Sequence, residues 1–337
     1  MKDSRTLVYK TLEGKGPERP PRHVWDVPWT YETYPNEIAE LKARYPEDIT
    51  WCPPMLKEDP GCIGDKYKIG TYIDEWGCEF NNLFEGIHGE IKMAQITSDE
   101  WEEVDQIKVP TAYTNLDVEA INQFCAETDQ FVVAATTVRL FERLQFLAGT
   151  PKVLMDLYED PEAMEPAIEM VHECFCRELE AWGKTDVDAL FIQDDWGTQL
   201  NLLISPALWR EIFKPRYAEY AAIARKYNKK IFMHSDGNIL HIIPDLIEIG
   251  IDALNSQIFC IGLENLAQFK GKITFWGEID RQGILPFGTT EDVKKAVNTI
   301  KDLLWNNGGV IAQCDFGIGV KPENVLAVFE TWEELFG

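Results

Sequence analysis

The sequence lacks the apolar and basic segments that membrane and nucleic-acid binding require. No apolar stretch approaches the ~18 residues of a membrane span, and Met1-Lys2-Asp3-Ser4-Arg5 leads into no apolar signal segment. The chain has 57 acidic and 32 basic residues, a net charge of -25, and no block of Lys or Arg. Nucleic-acid binders need such a block to displace the counterions of phosphates. We therefore expect a cytoplasmic protein that binds neither membrane nor nucleic acid.

The eight cysteines include no Cys-x-x-Cys pair. In a reducing cytoplasm they are expected to remain thiols. Cys52 and Cys62 lie in a segment rich in Pro and Gly, whereas Cys174 and Cys176 lie on a predicted helix. Most of these thiols are expected to be buried as small apolar groups.

Strands and helices alternate from residue 105 onward. The predicted strands cover residues 131–138, 189–193, 230–233, 253–255, 273–276 and 309–312. Asp160-Pro161 and Ser205-Pro206 have the residues that start helices. Repeated alternation of this kind makes a parallel sheet, and no Gly-rich phosphate fingerprint follows a strand, which disfavours a dinucleotide-binding fold. We predict an α/β fold of the TIM (β/α)8 barrel class, provided that the earlier region supplies one or two strands.

The first 105 residues differ in character from the rest. Residues 1–65 are rich in Pro, Trp and Tyr and are expected to be largely irregular, and residues 72–77 begin a hairpin excursion. We predict one domain over residues 1–337, with residues 1–105 as an aromatic-rich N-terminal extension that covers the barrel. Its Trp25, Trp29 and Tyr31 either line a substrate pocket or pack on the barrel surface.

Polar side chains follow five consecutive predicted strands. They occur in residues 194–199, 234–236, 255–257, 277–280 and 314–315. In a parallel barrel the carboxyl ends of the strands open into one mouth, and the interior layers are built from branched apolar residues. Five polar strand ends therefore predict an active site at this mouth.

The residue types at these strand ends indicate a metal. Imidazole, carboxylate and thiolate are ligands that zinc accepts, so His234 and Cys314 are predicted ligands. Asp236 is either a third ligand or a partner that orients His234. Glu278 is an alternative ligand or a general acid.

Two further groups of residues at the mouth have predicted roles. In the pair Asp194 and Asp195, one carboxyl with a raised pKa is expected to donate a proton, and the other is expected to be structural. Trp196, Gln199 and Asn255 are expected to contact the substrate.

Several segments together carry a family resemblance. They are Asp74-Glu75-Trp76-Gly77 and residues 194–199 (DDWGTQ), 204–209 (ISPALW), 214–216 (KPR), 232–238 (FMHSDGN), 244–255 (PDLIEIGIDALN) and 277–288 (GEIDRQGILPFG). On these segments the chain resembles the uroporphyrinogen decarboxylase superfamily, from residue 74 to its end. The resemblance implies a TIM barrel.

The superfamily contains decarboxylases and zinc-dependent methyltransferases. The decarboxylases bind an acidic tetrapyrrole through an N-terminal arginine motif, which is absent from Arg19-Pro20-Pro21-Arg22. The methyltransferases hold zinc with a His-x-Cys motif and a later Cys. Here Asp236 stands in place of the middle Cys, so the resemblance implies His234, Asp236 and Cys314 as ligands.

The resemblance also implies a methyl acceptor, the cobalt(I) of a corrinoid that a partner protein carries. The motifs are most similar to those of enzymes that demethylate methoxylated aromatics in anaerobes. Methanol, methylamines and methyl thiols stay open as donors, and so does a methyltransferase that loads a thiol or folate acceptor. A tetrapyrrole decarboxylase and a non-catalytic binding relative are the alternatives from other functional classes.

Overall fold

Eight parallel strands form a barrel in the computed structural model, which describes residues 3–337. Counting three strands of a second sheet, the described residues contain eleven strands: β1 (Arg22–Asp26), β2 (Ile49–Cys52), β3 (Gly70–Ile73), β4 (Glu79–Asn82), β5 (Glu90–Met93), β6 (Phe131–Ala134), β7 (Ala189–Gln193), β8 (Lys230–Ser235), β9 (Ala253–Ser256), β10 (Thr274–Trp276) and β11 (Val310–Phe316). The barrel order is β1-β11-β10-β9-β8-β7-β6-β2. At the seam between β1 and β2, the amide of Asp48 donates to the carbonyl of Arg22 over 2.9 Å. The predicted TIM barrel is confirmed.

Helices follow the strands and cover the outside of the barrel. They are α1 (Ser4–Leu12), α2 (Pro28–Thr33), α3 (Pro35–Arg44), α4 (Val118–Ala126), α5 (Leu140–Ala148), α6 (Thr150–Glu159), α7 (Pro161–Gly183), α8 (Pro206–Ile212), α9 (Lys214–Lys226), α10 (Ile243–Ile249), α11 (Ile258–Ile261), α12 (Leu263–Leu266), α13 (Ile284–Phe287), α14 (Thr290–Leu304) and α15 (Pro322–Phe336). The predicted caps are confirmed, because Asp160 accepts from the amide of Ala163 and Ser205 from that of Leu208. Within residues 3–337, none of these helices combines the length and the apolar character that crossing a bilayer requires.

The N-terminal region is more regular than predicted. Residues 1–65 were expected to be largely irregular, but the described part contains α1, α2, α3 and two barrel strands, β1 beside β11 and β2 beside β6. The expectation failed because β1 (RHVWD) offers aromatic and charged residues rather than an apolar run. The predicted hairpin excursion is confirmed, since β3, β4 and β5 form a separate antiparallel sheet.

Alternate side chains of each barrel strand face opposite layers of the molecule. The interior core contains Phe232 of β8 and Ile311 of β11, together with Phe191 and Trp276. The outer core, between strands and helices, instead contains their sequence neighbours, among them Met233. Successive side chains of a strand point to opposite faces. The residues that follow an interior side chain by two positions are therefore the ones that reach the mouth.

Asp194, a predicted catalytic acid, lies behind the barrel wall. It is 1% exposed, and its carboxylate accepts hydrogen bonds from the amides of Phe141 (2.9 Å) and Glu142 (2.7 Å) and from the hydroxyl of Tyr217. These amides belong to the first turn of α5, where an acceptor satisfies otherwise unpaired donors. Burial raises the pKa of Asp194 to about 8, aided by Glu142 and opposed by these hydrogen bonds. One member of the pair Asp194 and Asp195 was expected to be structural, and these hydrogen bonds indicate that it is Asp194.

We predict that Asp194→Ala lowers the free energy of unfolding by about 3 kcal/mol, because it leaves three buried donors without an acceptor. Urea denaturation monitored by tryptophan fluorescence measures this loss. Tyr217→Phe is the matched control, since it removes one of the three donors and should cost less. An unchanged denaturation midpoint for Asp194→Ala would contradict the structural role.

Candidate metal centre at the barrel mouth

Asp195, His234 and Asp236 form a compact cluster at the carboxyl ends of β7 and β8. The Nε2 atom of His234 lies 3.5 Å from Oδ1 of Asp195 and 3.7 Å from Oδ1 of Asp236. One ligand atom from each residue lies within 4.8 Å of the other two. Nitrogen and oxygen ligands of a tetrahedral zinc ion are separated by about 3.4 Å, given the usual bond lengths. The spacing therefore fits a zinc ion with little adjustment.

Asn255 of β9 fixes the orientation of the His234 ring. Its Oδ1 lies 2.6 Å from Nδ1 of His234, and its Nδ2 donates to the carbonyl of Trp276 over 2.5 Å. Since Nδ2 is used in that bond, Oδ1 must accept, and Nδ1 of His234 carries a proton. The Nε2 atom then faces two carboxylates and needs either a proton or a metal ion. Hydrogen bonding of the distal ring nitrogen is typical of histidine ligands.

The carboxylate of Asp236 is only half satisfied. One oxygen pairs with the guanidinium of Arg281, whereas Oδ1 is buried and has no hydrogen-bond partner. Such unpaired buried acceptors are rare, because losing hydration without compensation costs about 1–3 kcal/mol. Oδ1 is also the atom that faces His234. The donor set of Asp195, His234 and Asp236 therefore suits a zinc ion with one position left open.

Arg281 joins three carboxyl groups beside this cluster. Its Nη1 lies 3.0 Å from Oδ2 of Asp315, its Nε lies 3.5 Å from Oε1 of Glu278, and its Nη2 contacts Asp236. Arg281 had no predicted role. Its only sequence signal is the spacing of three residues from Glu278, because its other partners come from distant strands.

Glu278 is the best-placed proton carrier of the mouth. It is 3% exposed, and burial raises its pKa well above the ordinary value. The neighbouring Asp315 raises that pKa further, against the opposing charge of Arg281. Burial also raises the pKa of Asp195, which His234 opposes. The raised pKa favours the protonated form of Glu278, which is the form that a general acid requires.

Cys314, a predicted ligand, points away from the mouth. It is fully buried in the outer core with Ala312 and Phe316, whereas Ile311 lies in the interior core. Burial raises the pKa of the Cys314 thiol well above its ordinary value. The prediction assumed that all polar residues at the end of this strand face the mouth. Neighbouring residues of a strand face opposite sides, so Cys314 and Asp315 point in opposite directions. Asp315 is the residue of this strand that reaches the cluster, and Cys314 leaves the ligand set.

Trp196 also falls outside the mouth, contrary to its predicted contact with substrate. It is fully buried, its ring stacks on Phe141 with centroids 4.1 Å apart, and its Nε1 donates to the hydroxyl of Tyr217 over 3.0 Å. Asn255 is likewise fully buried beneath His234 and positions that ring. Gln199 lines a cavity of about 310 Å³ together with Glu278 and Arg281.

A second cavity, of about 660 Å³, adjoins the metal cluster. Trp25, Trp51 and Phe191 line it, and the ring centroid of Trp25 lies 5.1 Å from that of His234. Trp51 was not predicted, because it lies on the unrecognised strand β2. These aromatic rings form one wall of the cavity, and Asp26, Lys42, Glu47 and Asp315 give it a polar and charged lining elsewhere.

The other two aromatics predicted to contact the substrate, Trp29 and Tyr31, are not among the residues that line this cavity. Trp29 packs against Tyr34, with ring centroids 5.7 Å apart. The hydroxyl of Tyr31 donates to Asp26 over 3.0 Å, and its side chain is exposed. Of the three aromatics proposed from the N-terminal region, the structure brings Trp25 to the cluster.

Comparison with known proteins defines the family of the chain. The model of the uroporphyrinogen decarboxylase (URO-D) family matches residues 87–335. A methyltransferase from Methanosarcina mazei has a similar fold, with a TM-score of 0.72, 16% identity and 99% of each chain covered. A GH113 β-1,4-mannanase has a TM-score of 0.42 and 10% identity, with 94% of this chain and 99% of that chain covered. No curated protein matches the sequence. Because the family model covers well over half of its length, the chain belongs to the uroporphyrinogen decarboxylase (URO-D) family.

Proposed function

We propose that this protein is a zinc-dependent methyltransferase that moves the methyl group of a methoxylated aromatic compound to the cobalt(I) of a corrinoid on a partner protein. The observation that carries the proposal is the cluster of Asp195, His234 and Asp236 beside an aromatic cavity at the mouth of a URO-D-family barrel. The fold likeness to a Methanosarcina mazei methyltransferase supports it.

Three residues would hold the metal. His234, Asp236 and Asp195 offer one nitrogen and two oxygen atoms, with Asp195 in the place that was predicted for Cys314. Bound zinc supplies Lewis acidity, which makes the ether oxygen of a methoxy group a better leaving group.

The side chains of the cavity would bind and orient the aromatic ring. Trp25, Trp51 and Phe191 offer flat apolar faces close to His234. The protonated carboxyl of Glu278 would give its proton to the departing phenolate oxygen, and Arg281 holds this carboxyl in position over 3.5 Å. The corrinoid carries out the cobalt chemistry, and the enzyme supplies orientation.

The charges of the mouth disfavour the decarboxylase alternative. An acidic tetrapyrrole needs cationic anchors, but the two cationic side chains that line the larger cavity are already paired. Arg281 contacts three carboxyl groups, and Lys42 contacts Asp26 at 2.8 Å and Glu47 at 3.1 Å. A polyanionic substrate would have to displace these partners and would face the remaining carboxylates.

We predict that His234→Ala loses about one zinc ion per chain relative to the wild type, whereas Cys314→Ser keeps it. The reason is that His234 supplies a central ligand atom and Cys314 faces the outer core. Elemental analysis of protein purified without chelator measures the difference. If Cys314→Ser loses the ion while remaining folded, Cys314 is a ligand and the assignment of Asp195 in its place is wrong.

We predict methyl transfer from guaiacol, vanillate or veratrole to a cobalt(I) corrinoid, read from the visible spectrum of the methylcobalt product. Aromatic ethers are expected to react because phenolate is the best leaving group among simple ethers, and metal activation assists its departure. Methanol and methylamines are the comparison donors. Methylcobalt from these donors alone would overturn the aromatic substrate and retain the methyltransferase. Carbon dioxide from a porphyrinogen, with no methylcobalt from any donor, would establish the decarboxylase.

We predict that Glu278→Gln slows methyl transfer by about 100-fold or more, because the proton donor is lost. The loss should shrink for methoxyarenes with electron-withdrawing groups, whose phenolates depart without a proton. A raised pKa keeps the proton on Glu278 to higher pH, so wild-type activity should fall as pH rises through that pKa. The variant should lack this decline. A constant loss across leaving groups would indicate a structural role instead.

A further inference from the structure

We propose that the protein has a second transition-metal site, formed on the outside of the barrel by His172 and Cys176 of α7 and Glu219 of α9. One ligand atom of each residue lies within 4.8 Å of the other two. The site is separate in sequence and in layer from the mouth cluster, and the inference does not depend on the proposed function. Its ligand is a divalent ion that accepts nitrogen, sulfur and oxygen donors, of which zinc is the common biological example.

The distance between His172 and Cys176 matches a tetrahedral metal, whereas the distance between His172 and Glu219 is that of a hydrogen bond and would lengthen when an ion binds. Nε2 of His172 lies 3.6 Å from Sγ of Cys176 and 3.0 Å from Oε2 of Glu219. With usual zinc bond lengths, a tetrahedron places nitrogen and sulfur about 3.5 Å apart and nitrogen and oxygen about 3.4 Å apart. His172 and Cys176 are four residues apart on one helix and therefore share a face. Both side chains meet Glu219 from the facing helix.

The second ring nitrogen of His172 already has the partner that a histidine ligand needs. Its Nδ1 lies 3.1 Å from the hydroxyl of Tyr220, which is fully buried. When Nε2 binds a metal, Nδ1 donates its proton to this hydroxyl oxygen and holds the ring in place. Without the ion, Nε2 carries the proton and donates it to Glu219.

The charge around this triad favours a cation. Burial, and then the carboxylates of Glu219, Glu169 and Glu180, raise the pKa of the Cys176 thiol. The guanidinium of Arg216, on the same helix as Glu219, is already bound by Glu165 and Glu169. A divalent ion would therefore enter a negative environment, replace the thiol proton and release it to solvent. Glu219 is 58% exposed at its side chain, so the ion can enter from the surface and retain a water molecule.

The ion would connect α7 and α9, which lie before and after β7 in the chain. α7 precedes β7, which Asp195 follows, and α9 precedes β8, which carries His234. A metal bridge between α7 and α9 would stabilise this part of the barrel by binding the folded state alone.

Cobalt(II) titration of the metal-free protein tests the site, because thiolate ligation produces a charge-transfer band in the near ultraviolet. The mouth cluster itself offers nitrogen and oxygen donors without sulfur, and Cys260→Ser removes the thiol that lines the neighbouring cavity, so a band that persists in Cys260→Ser reports on Cys176. We expect the band in the wild type and in His234→Ala, which lacks the mouth metal. We expect its loss in Cys176→Ser, with methyl transfer unchanged.

Two variants serve as matched controls. Cys174→Ser makes the same change two residues away, at a thiol that faces the carbonyl of Pro110, and Cys314→Ser tests the buried cysteine that was predicted to bind the mouth metal. Both should keep the band. Should Cys176→Ser fold poorly, Glu219→Gln at an exposed position should weaken cobalt binding by more than about tenfold, since even outer partners of ligands cost 10–100-fold.

Two results would overturn the site. One is a wild-type protein that shows no thiolate band at saturating cobalt, which would leave His172, Cys176 and Glu219 as a hydrogen-bonded contact between helices. The other is a band that persists in Cys176→Ser or disappears in Cys314→Ser. Neither result bears on the metal proposed at the mouth. That metal is tested separately, by comparing the zinc content of the wild type with that of His234→Ala.

Discussion

The two-residue alternation of the barrel strands determines which side chains form the mouth. Each strand can present only every second residue to the interior, and the interior phase is set by large side chains such as Phe232 and Trp276. His234 lies two residues after Phe232 and therefore faces inward. Cys314 lies three residues after the inward Ile311 and therefore faces outward. The same alternation thus brings His234 and Asp315 to the mouth and turns the Cys314 thiol away from it.

The mouth created in this way has an excess of negative charge. Asp236, Glu278 and Asp315 share one guanidinium, that of Arg281, and Asp195 lies beside His234. The excess is relieved partly by protonation, since burial raises the pKa of Glu278 well above its ordinary value. A divalent ion at His234 would relieve the remainder at Asp195 and Asp236. Protonation of Glu278 and binding of a divalent ion at His234 would thus both reduce the same excess of negative charge.

The sequence predicted the barrel and the location of its site, but it predicted side-chain facing less well. Strands such as β8 were evident because apolar residues precede a polar end, whereas β1 was missed because it carries aromatic and charged residues instead of an apolar run. Cys314 was misassigned because β11 extends to Phe316, so this residue lies within the strand and follows its parity. Arg281 had no detectable role, since its partners come from three separate segments and meet only after folding.

The replacement of a cysteine by Asp236 in the family motif has a structural consequence. A thiolate offers one sulfur atom, but a carboxylate offers two oxygens that can bind different partners. In this chain one oxygen of Asp236 pairs with Arg281, and the other remains free beside His234. Arg281 also contacts Glu278, the proposed proton donor. Asp236 would therefore connect a metal ion bound at His234 to Glu278 through Arg281, and a change of charge at His234 would alter the electrostatic environment of Glu278. A cysteine at this position would leave Arg281 without that partner and would separate the two functions.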